Sequence, residues 1–309
     1  STNPVTVSVD SNMTITANYA INTYTITATA GTNGTISPSG TINLNYGANQ
    51  TFLISSSTNY HIDSVIIDGV MYGVSTSYTF SNITENHTIK VSFAPDIPVV
   101  NIKIFLQGAY ANDTMSTAIH DLIPSTQPYD TAPWNYHGTE HISTIPPDVV
   151  DWILIELRSG TLAATKVATR AAFIKNNGTV TDTGGINPLQ FHGVSVGDYY
   201  IVIYHRNHLA VMSATSVTLT SSSNLYDFSA GLTRYYGGDA KNLDGTNYGM
   251  YAGDYSNDGY IDGSDFIGPD NDRYQNGYLR SDLNMDGYID GSDFVNPDNN
   301  RYKSTNVPE

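Results

Sequence analysis

The chain of 309 residues contains no cysteine, and this absence limits the cellular compartments in which the protein is expected to work. Secreted eukaryotic β-proteins usually carry disulfides, and cytosolic proteins of this length usually carry a few thiols. We therefore expect a bacterial protein that works outside the cell or on its surface. Because the sequence begins at Ser1 without a signal peptide, we also expect a mature chain or a piece of a longer protein.

Charged residues are scarce as well, at 14% of the chain against about 25% in typical globular domains. The chain also lacks the abundance of Ala, Glu, Lys and Leu that helical bundles and coiled coils require. No segment approaches the roughly 20 consecutive apolar residues of a membrane-spanning helix, so we expect no membrane insertion.

What the chain does contain is typical of strands joined by tight turns. Thr, Asn, Gly and Tyr are abundant, with 23 Tyr against 9 Phe. Hydrophobic residues reach 39%, which is too many for a disordered chain. The composition therefore predicts an all-β protein.

The formal charge is −16, from 29 acidic and 13 basic residues. Residues 250–309 alone hold 12 acids and 4 bases, so half of the excess lies in the last fifth of the chain. Nucleic acids need a basic surface, so we expect no nucleic-acid partner. The concentrated negative charge points to a bound cation instead.

The first predicted module covers residues 21–95, where apolar and polar residues alternate at 24–29 and 88–93. Turn signals separate these runs. The segments 36–40, 46–52, 60–62 and 68–69 resemble the divergent internalin B repeat, also called the Listeria–Bacteroides repeat. This resemblance implies a small β-module of a bacterial surface protein, with a role in spacing and adhesion.

The segment 1–20 before this module carries a partial repeat of it. Residues 12–20 match residues 86–94, so we interpret the segment as the last strand or two of a preceding repeat. Two alternatives follow. The segment packs within its own chain, or it adds to a sheet of a second copy and builds a homo-polymer, since unpaired strands seek a sheet edge.

The third segment, residues 96–235, is predicted to form an immunoglobulin-like or jelly-roll-like β-sandwich. Its apolar runs at 152–155 and 200–204 are typical of strands buried on both faces, and only 116–122 favours a short helix. Residues 128–134, 151–158 and 205–214 resemble an uncharacterised module of Bacteroidetes-type secreted proteins, which usually precedes a calcium-binding repeat.

Residues 236–309 contain two matched 12-residue acidic loops. Oxygen-bearing side chains occupy positions 1, 3, 5, 9 and 12, glycine occupies position 6, and position 7 offers its carbonyl, as in loops that bind Ca²⁺. We predict two structural calcium ions in a paired calcium-loop module. The ligands of the first loop are Asp254, Ser256, Asp258, Tyr260, Asp262 and Asp265, and those of the second are Asp282, Asn284, Asp286, Tyr288, Asp290 and Asp293.

The paired loops resemble dockerin-type and thrombospondin type 3-like repeats. This resemblance implies a calcium-stabilised module, and in dockerins positions 10 and 11 bind a cohesin partner. Here those positions are Gly263-Ser264 and Gly291-Ser292. Proline at 269 and 297 shortens any helix after the loops. Asp270, Asp272 and Asp298 are further candidate ligands.

No sequence motif clearly indicates a catalytic site. Residues 137–141 match the H-x-x-E-H order of some zinc proteases, but glycine and the flanking prolines oppose the helix that this chemistry needs. His205 and His208 lie at a predicted strand end, and we expect them to be polar groups of the edge and not metal ligands. With no convincing catalytic set, we expect no enzyme.

Two surface features remain open. Tyr235, Tyr236, Tyr248 and Tyr251 form either a sugar-binding platform or the cover of a thin core. Candidate glycosylation sites are the sequon residues Asn12, Asn33, Asn49, Asn82, Asn86, Asn112 and Asn177, and the D-S/T-apolar residues Ser64, Thr114 and Thr131.

Taken together, the sequence predicts a calcium-stabilised, non-enzymatic structural or adhesive protein of the bacterial surface. Its partners would be further copies of the chain, other surface components, or glycans. The alternative is the accessory tail of a larger secreted polysaccharide-degrading enzyme, which binds carbohydrate or docks to a cohesin.

Overall fold

The computed structural model describes residues 6–185 and 188–309. The chain divides into two compact units, Ser1–Pro95 and Asp96–Glu309. Residues 1–5 of the predicted orphan segment lie outside the described residues. From residue 6 to residue 20 the segment forms no strand, and every one of these side chains is exposed.

The first unit is built from eight strands whose alternating residues face one core. These strands are β1 (Thr23–Ala30), β2 (Gly34–Ser37), β3 (Gly40–Asn45), β4 (Gln50–Ser56), β5 (Tyr60–Ile67), β6 (Val70–Gly73), β7 (Ser77–Phe80) and β8 (His87–Pro95). A five-stranded sheet has the order β3-β1-β8-β5-β6, and a three-stranded sheet has the order β2-β4-β7. Strands β1 and β8 are parallel, whereas the other pairs are antiparallel.

The two sheets of the first unit share a single hydrophobic core. Ile26 and Ile89 from the larger sheet and Phe52 and Ile54 from the smaller sheet belong to it, all buried. Because side chains alternate between the faces of a strand, the intervening Thr, Asn and Ser residues reach solvent. The unit is therefore a small two-layer β-sandwich.

The second unit contains fourteen described strands and two short α-helices. The strands are β9 (Val99–Val100), β10 (Ile102–Lys103), β11 (Tyr110–Ala111), β12 (Thr114–Met115), β13 (Val149–Arg158), β14 (Lys166–Lys175), β15 (Val180–Thr181), β16 (Leu189–Gln190), β17 (Gly197–His205), β18 (His208–Met212), β19 (Val217–Leu219), β20 (Tyr226–Asp227), β21 (Lys241–Asn242) and β22 (Tyr248–Gly249). The helices are α1 (Ile267–Asn271) and α2 (Val295–Asn299).

A six-stranded antiparallel sheet dominates this unit. Its main order is β15-β14-β13-β17-β18, and β19 pairs with the start of β17. All ten residues of β13 are buried, so both faces of the sheet are covered, as the apolar runs predict. The short ladders β9–β16, β10–β20, β11–β12 and β21–β22 lie outside this sheet.

The all-β class is confirmed, and several local predictions are corrected. The apolar segment 99–106 forms only the short strands β9 and β10. The helix expected at 116–122 is only a 3₁₀ turn, His120–Leu122. Residues 236–309 lie in the same unit as residues 96–235, because Met250 and Met285 belong to the core that contains Trp152.

Candidate calcium-binding loops

Both acidic loops fold into the same tight turn. Gly259 and Gly287, at position 6, have φ of 83° and 89°, which side chains with a Cβ adopt only with strain. Ile261 and Ile289, at position 8, are fully buried and anchor the loops to the protein core. Glycine at position 6 and an apolar residue at position 8 are therefore explained by the backbone and by packing.

Each loop ends at a short helical segment with a reciprocal cap. The Asp262 side chain accepts hydrogen bonds from the Ser264 backbone and hydroxyl, both at 2.8 Å, and starts the 3₁₀ turn Gly263–Phe266. Asp290 and Ser292 repeat this arrangement before Gly291–Phe294. The turns continue directly into α1 and α2.

The carboxylates at position 12 reach back across the loops. Asp265 accepts hydrogen bonds from the backbone N–H groups of Ser256 and Asp262, both at 2.9 Å. Asp293 does the same with Leu283 at 2.7 Å and Asp290 at 2.9 Å. Both carboxylates are buried, so each loop wraps around an acidic group.

The first residue of each loop adds a second buried carboxylate. Burial, with the nearby charges of Asp265 and Asp258, raises the pKa of Asp254 to about 7. Burial raises the pKa of Asp282 to about 6, although the charge of Arg206 opposes this shift. Within each loop, the ionised carboxylates repel one another. A bound cation would offset this repulsion.

The remaining predicted ligands surround these acids. Asp258 and Asp286 accept hydrogen bonds from Tyr260 N and Tyr288 N, each at 3.0 Å. Asn284 donates to Asp286 Oδ2 at 2.7 Å. Within residues 6–185 and 188–309, no three His, Asp or Glu side chains converge closely enough to hold a metal ion as they stand.

One carboxylate oxygen of Asp254 indicates whether the oxygen ligands of the first loop suit a cation. Oδ1 of Asp254 is buried and has no hydrogen-bond partner. A buried acceptor without a partner costs about 1–3 kcal/mol or more, so it needs a donor or a cation. The predicted ligands are carboxylate, hydroxyl, amide and carbonyl oxygens, which suit Ca²⁺. The residues of the first loop therefore fit the ion that the sequence predicts.

The two loops are completed by an exchange of backbone segments. The segment after α1 pairs with the second loop, where Tyr274 N donates to Ile289 O at 2.8 Å and Ile289 N donates to Gln275 O at 2.9 Å. The segment after α2 pairs with the first loop, where Tyr302 N donates to Ile261 O and Ile261 N donates to Lys303 O, both at 2.8 Å.

Side chains repeat this reciprocal exchange. The Arg273 guanidinium lies 4.8 Å from the ring centre of Phe294, and the Arg301 guanidinium lies 4.6 Å from that of Phe266. The two phenylalanine rings are 6.1 Å apart. The module is therefore an intertwined pair in which each loop depends on the segment that follows the other.

The acids outside the loops have other partners. Asp270 and Asp298 are exposed and pair with Arg273 and Arg301 three residues later. Asp272 accepts a hydrogen bond from the Ser281 hydroxyl at 2.6 Å. These contacts give the three further candidates structural roles at the ends of the helices.

The histidine predictions have different outcomes. His205 ends β17 and His208 begins β18, the edge strand of the large sheet, as expected, but both side chains are buried. His137 and His141 lie in irregular backbone, and His141 Nδ1 lies 3.3 Å from the Thr126 hydroxyl. Tyr136 donates to Glu140 at 2.6 Å within the same segment. No helix presents the two histidines on one face.

Two of the four tyrosines considered for a sugar platform, Tyr235 and Tyr251, contact other parts of the protein. Tyr235 is buried, and its ring centre lies 5.2 Å from that of Phe228. Tyr251 donates to Asp239 at 2.8 Å, and the Lys303 ammonium lies over its ring. These two residues therefore serve mainly to cover the core.

All candidate asparagines for glycosylation are exposed, and so are Thr114 and Thr131. Ser64 is half-buried, and its hydroxyl lies 2.7 Å from that of Ser92. Asn49 and Asn86 already accept backbone hydrogen bonds from Asn82 and Thr25. Glycosylation at these positions stays a prediction.

A cavity of about 440 Å³ lies beside the first loop. Trp134 and Tyr136 line one side, and Asp254 and Asp258 line another. The Arg158 guanidinium, which pairs with Glu156 at 2.6 Å, donates to Pro308 O at 2.6 Å and holds the C-terminal segment at this cavity.

Comparisons with known proteins give little further information. No family model and no curated protein matches the chain. Two similar solved chains come from N-terminal and C-terminal interface mutants of a type II cohesin–X-dockerin complex from Acetivibrio cellulolyticus. Each is 17% identical and covers 49% of this chain and 81% of its own, with TM-scores of 0.30 and 0.31. Scores this low do not establish a shared fold.

Proposed function

We propose that this chain is a non-enzymatic, extracellular structural protein of bacteria whose second unit is stabilised by two calcium ions. The unpartnered, buried Oδ1 of Asp254 carries the proposal, because it lies in a loop whose other oxygens suit the same ion. The absence of cysteine supports it, since metal ions serve as crosslinks where disulfides are lacking.

In this proposal the first ion is held by Asp254, Ser256, Asp258, the Tyr260 carbonyl, Asp262 and Asp265, and the second by the six equivalent residues of the second loop. A bound ion would supply the positive charge that neutralises the buried carboxylates. At a calcium concentration about 100 times the dissociation constant, each site stabilises the fold by about 2.7 kcal/mol.

The location outside the cell rests on composition and on the resemblance of residues 21–95 to bacterial surface repeats. Among the described residues, no helix is long and apolar enough to cross a bilayer. The non-enzymatic role is supported by the histidines, since His137 and His141 lie in irregular backbone and His205 and His208 are committed to buried hydrogen bonds.

A second candidate function is docking to another protein through the paired loops. It is favoured by exposed residues that occupy equivalent positions after the two loops. Ile267 and Val295 are 57% and 54% exposed, and Tyr274 and Tyr302 are 75% and 89% exposed. Aromatic and aliphatic side chains of this kind are common anchors at protein interfaces.

Calcium removal tests the main proposal. We expect limited proteolysis to cut residues 236–309 rapidly in EGTA and slowly in millimolar calcium. An Asp254→Ala, Asp282→Ala variant should be cut rapidly in both buffers. The matched control, Asp270→Ala with Asp298→Ala, removes two acids from outside the loops and should behave as the wild-type protein. Equal protease resistance in both buffers contradicts the proposal.

The docking candidate has its own test. An Ile267→Asp, Val295→Asp variant should lose binding to any cohesin that the wild-type protein retains in a pull-down, while its calcium-dependent protease resistance stays unchanged. Binding that survives both substitutions contradicts docking through this face.

A further inference from the structure

The turn between β17 and β18 is buried, which is unusual for a hairpin. Arg206 and Asn207 form the turn and are only 4% and 0% exposed. Connecting turns usually lie on the surface because their backbone polar groups need water. A buried turn must find other partners for these groups. Here the backbone partners lie at the first loop, and the side chains of the turn reach the start of the second loop.

The turn contacts the first loop through its backbone. Gly253 N donates to Asn207 O at 3.0 Å, directly before the first ligand, Asp254. Asn257 Nδ2 donates to Arg206 O at 2.8 Å. Since Asn257 lies between the ligands Ser256 and Asp258, the two bonds hold the first half of this loop in place.

The same turn contacts the second loop through its side chains. Asn207 Nδ2 donates to Asp282 O at 2.6 Å and to Arg280 O at 3.2 Å. The Arg206 guanidinium donates to Leu279 O. These bonds fix the backbone where the second loop begins, because Asp282 is its first ligand.

The turn is also tied to the centre of the large sheet. Asp151, on β13, accepts from Arg206 Nε at 2.9 Å and from the Tyr278 hydroxyl at 2.5 Å. The His205 ring nitrogen Nε2 lies 3.1 Å from the same carboxylate. One buried turn therefore connects three parts of the unit: the sheet, the first loop and the second loop.

We propose that Asn207 is a positioning residue that couples calcium binding at the two loops to each other. The inference rests on the proposed calcium sites. An ion in the first loop orders Gly253 and Asn257 against the turn, and the turn then presents the Asn207 amide to Asp282 in the second loop. The second ion meets a loop that is already ordered and binds more tightly.

A double-mutant cycle on the full chain tests this coupling. Asp258→Ala removes an exposed ligand and so abolishes calcium binding at the first loop, a change called silencing below. Calorimetric titration with calcium then measures the affinity of the second loop alone. In the otherwise wild-type chain, we expect this silencing to weaken calcium binding at the second loop about fivefold or more. With Asn207→Ala, the second loop should bind about tenfold more weakly, as for lost outer-shell partners, and should no longer respond to the silencing.

Two further variants provide a control and a substitute for Asn207→Ala. Asn101→Ala removes an asparagine whose amide donates to Ser223 O, in contact with neither loop, and should retain the wild-type coupling. If Asn207→Ala fails to fold, Asn257→Gly removes one of the two hydrogen bonds between the first loop and the turn and should weaken the coupling. Glycine is chosen because Asn257 has φ of 56°.

The possible failures are distinguishable. A wild-type chain that binds no calcium overturns the proposed function and this inference with it. Two calcium ions that bind independently in the wild-type chain, or coupling that persists without the Asn207 amide, overturn this inference alone.

Discussion

At the scale of single residues, buried charge is concentrated at Asp151. Burial alone would raise its pKa, but the Arg206 charge and the His205 hydrogen bond outweigh burial and lower the pKa to about 2. The unfolded chain would protonate this group near pH 3.9. Asp151 therefore stabilises the fold above about pH 4, and this contribution is lost as the pH falls towards 2.

An Asp151→Asn substitution should reduce that pH dependence. At pH 7 we expect a loss of about 3–5 kcal/mol, because Arg206 keeps its charge without a buried partner. Between pH 4 and pH 2 the variant should lose less stability than the wild-type chain, as measured by urea unfolding in EGTA. Asp148→Asn, at a half-buried acid paired with Lys175, is the control and should follow the wild-type profile. A parallel profile for Asp151→Asn contradicts the assignment.

Asp254 is expected to have opposite effects with and without calcium. In EGTA at pH 8, Asp254→Asn removes a costly buried charge and should raise the melting temperature of the second unit by about 2–4 °C for each kcal/mol gained. In calcium the variant should melt lower than the wild-type chain, because a ligand is lost. Asp270→Asn should change neither value. If the variant melts at a lower temperature than the wild-type chain in both buffers, the ionised Asp254 carboxylate does not destabilise the calcium-free fold.

At the scale of elements, the exposed segment before β1 is the clearest candidate for strand addition. Val9, Ile15 and Tyr19 are 72%, 71% and 94% exposed. Strand β6 forms one edge of the five-stranded sheet, and its Val70, Met71 and Tyr72 are exposed too. Apolar edges of this kind favour pairing between chains.

Deletion of residues 1–20 should therefore weaken self-association. We expect analytical ultracentrifugation to show association of the full chain at concentrations about tenfold lower than for residues 21–309. Ile15→Asp should act like the deletion. Thr14→Asp alters the opposite face of the alternating segment and serves as the matched control. Identical sedimentation of both chain lengths excludes the N-terminal strand as the contact.

The sequence predicts some of these elements well and others not at all. The acidic loops follow from their own spacing, since every ligand lies within twelve residues of the first. Strands β1 and β8 follow from alternation. The connection between Asp151, Asn207 and Asp282 could not be predicted, because hydrogen bonds between distant segments leave no periodic signal.

The buried histidines illustrate the same limit. His205 and His208 flank a turn, where polar residues are usually exposed. In the fold, however, the turn is covered by the acidic loops, and Gly108 N donates to His208 Nε2 at 3.1 Å. What covers a turn is decided by packing between distant segments, which one sequence does not reveal.

At the scale of the whole molecule, calcium should act on one unit only. The predicted calcium loops lie in Asp96–Glu309, and the large sheet shares a core with Met285 of the second loop. The ions should therefore stabilise the entire second unit, including the six-stranded sheet.

Differential scanning calorimetry of the full chain should show two transitions. EGTA should lower one of them by about 10–20 °C, if two sites each contribute about 2.7 kcal/mol. The other transition, from the first unit, should stay in place. Residues 21–95 measured alone identify it. A calcium-induced shift of both transitions, or of neither, contradicts this division.

The exchange of segments between the two loops has a consequence for how the protein is made. The first loop is closed by Lys303, which follows the second loop in the chain, so no nascent chain can finish the first site while the second is still being synthesised. If export begins during translation, the first loop stays open until the segment around Lys303 has been synthesised. If the chain is exported and binds calcium as we propose, closure of the first loop would then coincide with its first exposure to extracellular calcium.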